Sequence, residues 1–147
     1  MLKDILTVEN IALDVEAADW EQAIRKGGEL LQQNQFIDNC YIESMVDNVK
    51  KMGPYIVISK GVALPHAEAG AGVKKLGISF IRLAKPVFFG NPDNDPVDLV
   101  FCLAAMDADS HLSALVGLSG LLSDKKKLDV LRRETDAAKV HQTISES

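Results

Sequence analysis

The stretch VDLVFCLAAM at residues 97–106 decides the fold class of this chain. All of its residues except Asp98 are apolar, and a strand of this kind has both faces covered, as the inner strands of α/β sheets do. The segment DADS at residues 107–110 follows it and is typical of a turn that caps a helix. The next residues predict a helix over about 110–122, so a buried strand leads directly into a helix.

Further strands and helices are predicted before and after this unit. Helices are predicted over about 20–34, 38–52, 124–133 and 135–145, and strands over 55–59, 62–64, 76–83 and 87–89. The predicted fold class is therefore α/β, with a central mixed β-sheet flanked by helices on both sides. No linker or shift in composition divides the chain, and residues 1–147 are predicted to form a single domain.

Two local features refine the predicted helices. The pair Gly27-Gly28 lies inside the first long helix and is predicted to bend or break it, because glycine destabilises a helix interior. In the helix over 110–122, six apolar residues are predicted to form the inner face. They are Leu112, Leu115, Val116, Leu118, Leu121 and Leu122.

The composition limits the classes of partner and compartment. The 16 Lys and Arg against 21 Asp and Glu give a net charge of −5, which argues against a nucleic-acid partner because phosphate backbones require clustered basic residues. No apolar run approaches the roughly 18 residues that span a bilayer, and the N-terminus does not resemble a secretion signal. Cys40 and Cys102 are isolated and are interpreted as free thiols of a reducing compartment. We therefore expect a cytoplasmic protein.

A histidine follows the predicted strand over 62–64, in the segment GVALPHA at residues 61–67. Imidazole is the side chain whose ordinary pKa lies near neutral pH. Pro65 restricts the backbone directly before His66, and small residues follow, so the ring is predicted to be exposed and held in a defined direction. This context favours a nucleophile.

A second histidine, His111, is predicted in the first turn of the helix over 110–122. A helix N-terminus carries free N–H groups and a partial positive charge, and it favours the binding of phosphate. Ligands of α/β sheets bind beyond the carboxyl ends of strands, where both histidines are expected. Together they are consistent with phosphoryl transfer, with His66 as nucleophile and His111 as neutral donor. His141, in the last predicted helix, is interpreted as a surface residue.

The residues alone leave other interpretations of these histidines open. A histidine after a proline is most often structural or exposed, and one at the start of a helix is most often a polar filler. His66 and His111 with Asp107 or Asp109 are a candidate metal site, but the spacing typical of metal ligands is missing. Dinucleotide, P-loop and serine-hydrolase motifs are missing as well, so neither a cofactor nor a metal is predicted.

Three segments of the chain resemble one known family. They are GVALPHA at 61–67, LGISFIRLAKPVFFG at 76–90 and PVDLVFCLAAMDADSHLSALVGLSGLL at 96–122. The family is the EIIA component, of the fructose/mannitol type, of the bacterial phosphoenolpyruvate-dependent sugar phosphotransferase system, and the similarity covers about residues 5–145. Two segments most resemble the ascorbate-specific members of the family. They are KKMGPYIVISKGVALPHA at 50–67 and NDPVDLVFCLAA at 94–105.

The resemblance implies a phosphotransferase that works as a phosphocarrier. His66 matches the family's phosphorylated histidine, which accepts the phosphoryl group on Nε2 from the small carrier HPr and passes it to a cysteine of the sugar-specific EIIB component. EIIB then serves a membrane transporter, EIIC, during sugar uptake. His111 matches a second active-site histidine that supports the phosphoryl group. An alternative within the family is a regulatory module that controls partner proteins by its phosphorylation state.

Two positions depart from the patterns of the family. Mannitol-type members have an arginine in the second helix, in a pattern like Y-x-x-x-M-x-x-R, where this chain has Asn48. Lys50, Lys51 and Lys60 are candidate substitutes, although an ammonium does not reproduce a bidentate arginine. Ascorbate-type members often have an arginine where this chain has Glu68, whose carboxylate would repel a phosphohistidine.

Three expectations about the site follow. A backbone carbonyl should hold the His66 ring in one tautomer, and the loop over 67–73 is the candidate source. The partner surface should be apolar and formed by residues close to His66. Those residues are Val62, Leu64, Ala67 and Ala69. HPr and EIIB are expected to use overlapping surfaces, since both must reach one imidazole, and a homodimer is an oligomeric state that the sequence leaves open.

Overall fold

Five strands form one mixed sheet in the computed structural model, which describes residues 2–147. The strands are β1 (Ile11–Val15), β2 (Val57–Ser59), β3 (Val62–Ala63), β4 (Gly77–Val87) and β5 (Val97–Ala104). The helices are α1 (Leu2–Ile5), α2 (Trp20–Gln33), α3 (Asn39–Met52), α4 (Ala108–Leu122), α5 (Lys125–Arg133) and α6 (Ala137–Ser145), and a 3-10 turn spans Val8–Asn10. The spatial order of the strands is β1-β4-β5-β3-β2.

β5 lies at the centre of the sheet, between β4 and β3. It pairs antiparallel with β4 and parallel with β3, while β1 pairs parallel with β4 and β2 pairs antiparallel with β3. Every residue of β5 except Asp98 is buried. This confirms the buried strand that the apolar run at residues 97–106 predicts.

The side chains of β5 alternate between two hydrophobic clusters, one on each face of the sheet. Val100 and Cys102 belong to the cluster with α2 and α3, whereas Leu99 and Phe101 belong to the cluster with α1, α4, α5 and α6. The molecule therefore has the predicted α/β fold, a single domain in which helices cover both faces of the sheet. Within residues 2–147, none of the helices is long and apolar enough to span a bilayer.

β1 is a strand that the sequence analysis missed. It lies at one edge of the sheet, and most of its residues are only half-buried or exposed. Its pairing with β4 is irregular between Ala12 and Val15, where Asp14 has a φ of 56°. An edge strand with such an irregularity lacks the simple alternation of apolar and polar residues that would reveal it.

The predicted strand over residues 87–89 is wrong as a separate element. β4 continues to Val87, which pairs with Val97 of β5 after an irregular stretch that begins at Arg82. Pro86 lies in this irregular stretch, where the loss of a backbone donor is tolerated. The structure contains one long strand with a bulge in place of the two predicted strands.

The predicted break at Gly27-Gly28 is also wrong, because α2 is continuous through both glycines. A Cβ atom at Gly27 would lie 2.6 Å from Sγ of Cys102, and one at Gly28 would lie 2.8 Å from Cγ1 of Ile42. The glycines therefore allow α2 to pack closely against β5 and α3. Their role is to permit this close approach.

α4 begins two residues earlier than predicted and buries a narrower face. Asp107 is the N-cap, and the buried residues are Ala114, Leu118 and Leu121. Leu112 and Val116 are 61% and 66% exposed, so their assignment to the inner face is wrong. A helix so rich in leucine does not reveal its buried stripe by apolar residues alone.

Candidate active site

His66 lies where the chain that follows β3 separates from the central strand β5. β3 pairs with β5 at Ala63 and Val100, and the next residues continue beside β5 without a regular ladder. The Pro65 carbonyl accepts a hydrogen bond of 3.0 Å from the Leu103 amide. His66 follows this last backbone contact and is half-buried, beyond the carboxyl end of β3. Its location is the one predicted from the strand-Pro-His pattern.

A hydrogen bond fixes the tautomer of the His66 ring. Nδ1 of His66 lies 2.7 Å from the Leu64 carbonyl oxygen. A carbonyl only accepts, so Nδ1 carries the proton and the neutral ring keeps its free lone pair on Nε2. The prediction of a backbone carbonyl is confirmed, but the predicted source in the loop over 67–73 is wrong. The acceptor, the Leu64 carbonyl, lies two residues before His66.

His111 and His66 lie side by side. Their ring centroids are 5.5 Å apart, with an angle of 60° between the ring planes. Burial, followed by the neighbouring His66, holds the pKa of His111 below its ordinary value. His111 is therefore neutral at pH 7, with one N–H donor and one free lone pair. The sequence predicts a neutral His111, and burial is the main reason that the folded protein keeps it neutral.

The N-terminus of α4 already holds an anionic group. Oδ1 of Asp107 accepts hydrogen bonds from the Ser110 amide and from the Ser110 hydroxyl, both at 2.8 Å. These bonds hold the pKa of the Asp107 carboxyl below its usual range. His111 is the fourth residue of α4, and its amide donates to the Asp107 carbonyl. The carboxylate thus occupies part of the helix terminus at which the sequence analysis expected a phosphate.

Both histidines line one cleft of about 470 Å³. Its lining residues are Asn48, Tyr55, His66, Ala67, Glu68, Ala69, Asp107, Ala108 and His111. The lining thus combines the two rings with neutral donors and two carboxylates, and it includes neither lysine nor arginine among residues 2–147. Asn48 does lie in this cleft, where the mannitol-type pattern has an arginine. Of the candidate substitutes, Lys50 lies 3.4 Å from Glu21 in an ion pair.

Tyr55 is a cleft residue that the sequence analysis placed in a strand. β2 begins at Val57, so Tyr55 lies in the turn after α3. Its ring meets the His66 ring edge-on, with centroids 5.7 Å apart and an angle of 83° between the planes. The dipeptide Gly53-Pro54 just before it is a turn signal that would have separated Tyr55 from the strand.

The predicted partner surface needs correction. Val62, Leu64 and Ala67 are buried, with exposed fractions of 0%, 3% and 5%, and they cannot contact a partner. They close the core beneath His66, since β3 is an inner strand. The exposed apolar side chains next to the cleft are different ones. They are Tyr55, Met106 and Leu112.

The remaining candidates lie apart from this cleft or lack the geometry of a site. His141, on α6, is half-buried, and its Nε2 atom is buried without a hydrogen-bond partner within residues 2–147, so its assignment to the open surface is wrong. No group of three or more His, Cys, Asp or Glu side chains in the described part of the chain is placed to hold a metal ion. A second cavity, of about 510 Å³, is lined by Glu16, Lys26 and Lys85 among others and contains neither cleft histidine.

Comparison with known sequences gives a family match over nearly the whole chain. Residues 4–147 match the family described as phosphoenolpyruvate-dependent sugar phosphotransferase system, EIIA 2. The ascorbate-specific PTS system EIIA component of Salmonella typhimurium is 37% identical over 145 residues, which cover 97% of this chain and 94% of that protein. The corresponding protein of Escherichia coli K12 is 38% identical over 125 residues, covering 84% and 81%.

Comparison with solved structures gives the same architecture. The mannitol-specific cryptic phosphotransferase enzyme IIA CmtB from Escherichia coli superposes with a TM-score of 0.89, at 33% identity, over 99% of both chains. The nitrogen regulatory protein IIA-Ntr from Neisseria meningitidis gives a TM-score of 0.82 at 31% identity over 97% of both chains. A complex of enzyme IIAMTL with phosphorylated enzyme IIBMTL from Escherichia coli contains a chain that superposes with a TM-score of 0.86 at 26% identity, over 97% of this chain and 100% of that one.

Proposed function

The chain belongs to the type 2 EIIA family of the phosphoenolpyruvate-dependent sugar phosphotransferase system, and from this we propose that it is a phosphocarrier that bears the phosphoryl group on His66. In the cytoplasm, it accepts this group from phospho-HPr and passes it to a cysteine of an EIIB component. EIIB in turn serves a membrane EIIC during sugar uptake. The relatives described as ascorbate-specific favour ascorbate as the sugar. The observation that carries the proposal is the pair of His66, with its free Nε2, and His111 in one cleft.

The geometry suits nucleophilic attack by Nε2 of His66. Its lone pair attacks phosphorus, and the bond from phosphorus to the donor's histidine nitrogen breaks with its electron pair returning to that nitrogen. The His66 ring then carries positive charge, which the Nδ1–H bond to the Leu64 carbonyl stabilises. When the EIIB thiolate attacks in turn, the P–Nε2 bond breaks and the lone pair returns to Nε2. His66 neither gains nor loses a proton over the cycle.

His111 supports the phosphoryl group as a neutral donor. Because its pKa is lowered, the ring at pH 7 offers an N–H group without adding a fixed positive charge. Asn48 and Tyr55 line the same cleft and offer an amide and a hydroxyl as further neutral donors. Neutral donors that are already in place stabilise developing charge on the phosphoryl oxygens without holding the group too tightly.

The partner surface proposed for HPr and EIIB is the apolar rim around the cleft. Met106 and Leu112 are each more than half exposed, and Tyr55 is 42% exposed. Apolar side chains in this arrangement favour a small, transient interface, as expected for a relay between proteins. The solved complex of an EIIA-type chain with phosphorylated IIB supports an EIIB partner. Both partners must reach one imidazole, so they bind in turn.

Phosphorylation in a reconstituted system tests the proposal. The protein is incubated with phosphoenolpyruvate, enzyme I and HPr, and the modified residue is identified by mass spectrometry. His66→Ala should fold and accept no phosphate, whereas His141→Ala, outside the cleft, should be phosphorylated normally. His111→Ala should accept phosphate but transfer it poorly to EIIB. Phosphate on the His66→Ala variant would overturn the assignment.

A regulatory role is the second candidate function. The similarity to the nitrogen regulatory protein IIA-Ntr, at 31% identity over 97% of both chains, favours it. In that case His66 is still phosphorylated, but its state controls the binding of other proteins. Transfer of the phosphoryl group from the phosphorylated protein to an EIIB cysteine distinguishes the two roles, because only the transport role requires it.

A further inference from the structure

A tyrosine hydroxyl fills the gap that opens where the His66 segment leaves β5. Directly before His66, the Pro65 carbonyl accepts from the Leu103 amide at 3.0 Å. Directly after it, the Ala67 amide donates to the hydroxyl of Tyr41 at 3.0 Å. That hydroxyl in turn donates to the Leu103 carbonyl at 2.7 Å. Leu103 therefore holds the peptides on both sides of His66, one directly and the other through Tyr41.

The Tyr41 hydroxyl joins three elements at one buried point. Tyr41 belongs to α3 and is 1% exposed, while Leu103 belongs to β5 and Ala67 to the loop after His66. The hydroxyl also lies 3.3 Å from the Ala67 carbonyl, but its single proton goes to the nearer carbonyl of Leu103. Burial, as the main cause, raises the pKa of Tyr41 to about 12, so the donor keeps its proton at neutral pH.

The same short segment contains the acceptor that fixes the tautomer of His66. Nδ1 of His66 donates to the Leu64 carbonyl at 2.7 Å, so the position of the ring depends on the backbone over residues 64–67. Without the Tyr41 hydroxyl, the Ala67 amide and the Leu103 carbonyl would be buried without this shared partner. A buried polar group without a partner is costly, and the loop would shift to recover one.

We propose that Tyr41 is a positioning residue for phosphoryl transfer, because its hydroxyl holds the His66 segment against Leu103 and thereby aims Nε2 into the cleft. The inference rests on the proposed phosphocarrier function. Tyr41 touches neither the phosphoryl group nor a partner and acts through the backbone next to His66. Its removal therefore affects the geometry of the nucleophile more than the affinity for the phosphoryl donor.

Tyr41→Phe tests this, with Ser79→Ala as the matched control. Ser79 is also fully buried, and its hydroxyl donates to the Gly27 carbonyl at 2.8 Å, on the part of the sheet that α2 covers. Each variant removes one buried hydroxyl that donates to a backbone carbonyl. Stability is measured by urea unfolding, the transfer rate from phospho-HPr by rapid quench, and the His66 tautomer by nitrogen-15 NMR of the ring.

We expect both variants to lose stability, but only Tyr41→Phe to lose transfer. Its maximal rate should fall about tenfold with little change in KM, whereas Ser79→Ala should stay within about twofold of the wild type. The His66 ring of Tyr41→Phe should show a mixture of tautomers, in contrast to the single Nδ1–H form of the wild type. A wild-type rate with wild-type ring signals, or equal losses in both variants, would overturn the inference.

The experiment also distinguishes failure of the proposed function, and failure of the variant to fold, from failure of the positioning role. If the wild-type protein is not phosphorylated on His66, the proposed function fails, but the ring tautomers of the wild type and Tyr41→Phe still test the positioning role. If Tyr41→Phe does not fold, hydrogen exchange of the wild-type Ala67 amide decides. Slow exchange is expected for an amide bound to a buried hydroxyl, and exchange as fast as in an open loop would contradict the inference.

Discussion

The rings of His66 and His111 lie 5.5 Å apart, so the charge on one ring acts directly on the other. A positively charged His66 would oppose protonation of His111, whereas a phosphoryl group on His66 brings negative charge to the same place. Phosphorylation should therefore raise the pKa of His111 from its lowered position toward its ordinary value. NMR titration of the His111 ring in the free and phosphorylated protein measures this.

The control for this titration is His66→Ala. This variant removes the smaller cause of the lowered pKa, the neighbouring imidazole, without adding negative charge. The pKa of His111 should rise less in this variant than on phosphorylation. A pKa of His111 that is unchanged or lower in the phosphorylated protein would show that its ring does not face the phosphoryl group.

The lowered pKa of His111 also predicts how stability depends on pH. The unfolded chain binds a proton at this histidine near the ordinary value of about 6.5, while the folded protein binds it only at lower pH. The contribution of His111 to stability is therefore fully present above about pH 6.5 and is lost as the pH falls through the interval between the two pKa values. Urea unfolding of the wild type and His111→Asn between pH 8 and 5 should give curves that diverge in this interval. Parallel curves would contradict the assignment.

Replacing Asn48 with arginine tests the effect of a cation in the cleft lining. Asn48→Arg would place a cation beside two carboxylates and next to His66, where it would stabilise the phosphorylated ground state more than the transition state for onward transfer. We expect the phosphohistidine to live about fivefold longer and transfer to EIIB to slow by a similar factor. Phosphorus-31 NMR of phosphohistidine decay and a transfer assay measure the two effects.

Asn48→Gln is the matched control, because it keeps a neutral amide on a longer side chain. It should leave the lifetime of the phosphohistidine close to that of the wild type. If Asn48→Arg and Asn48→Gln decay alike, the charge at this position does not act on the phosphoryl group. A cation at position 48 would then have no consequence for transfer.

The sequence predicts the centre of the fold well because burial there is complete. The apolar run of β5 and the helix over 38–52 both lie where they are predicted. The strand-Pro-His pattern likewise locates His66 beyond the end of β3. These features depend on local sequence and on the burial of whole elements, and the residue types within one segment are enough to indicate both.

The parts that the sequence does not predict depend on contacts between distant residues. The glycines of α2 are explained only by Cys102 and Ile42, which lie far from them in sequence. The buried face of α4 depends on which side meets the sheet, and its many leucines do not reveal it. The hydroxyl of Tyr41 meets Leu103 across 62 residues, so a sequence pattern identifies Tyr41 only as a core residue.

An ion pair joins α5 to β5. Arg132 contacts both carboxylate oxygens of Asp98, at 2.8 and 3.1 Å, and also donates to the Lys60 carbonyl at 3.1 Å. Both side chains are about one-third exposed or less. Arg132→Ala should therefore lower the free energy of unfolding by about 1–2 kcal/mol, because a half-buried bidentate ion pair contributes more to stability than an exposed ion pair does.

The adjacent residue supplies the control for this prediction. Arg133 pairs with Asp129 at 3.1 Å, but the two side chains are 79% and 54% exposed, so Arg133→Ala should cost no more than about 0.5 kcal/mol. Arg132→Lys should lose most of the stabilisation, because an ammonium cannot contact both oxygens of Asp98 and the Lys60 carbonyl together. Urea unfolding of the three variants measures these differences. Equal costs for Arg132→Ala and Arg133→Ala would show that the contact with Asp98 does not stabilise the fold.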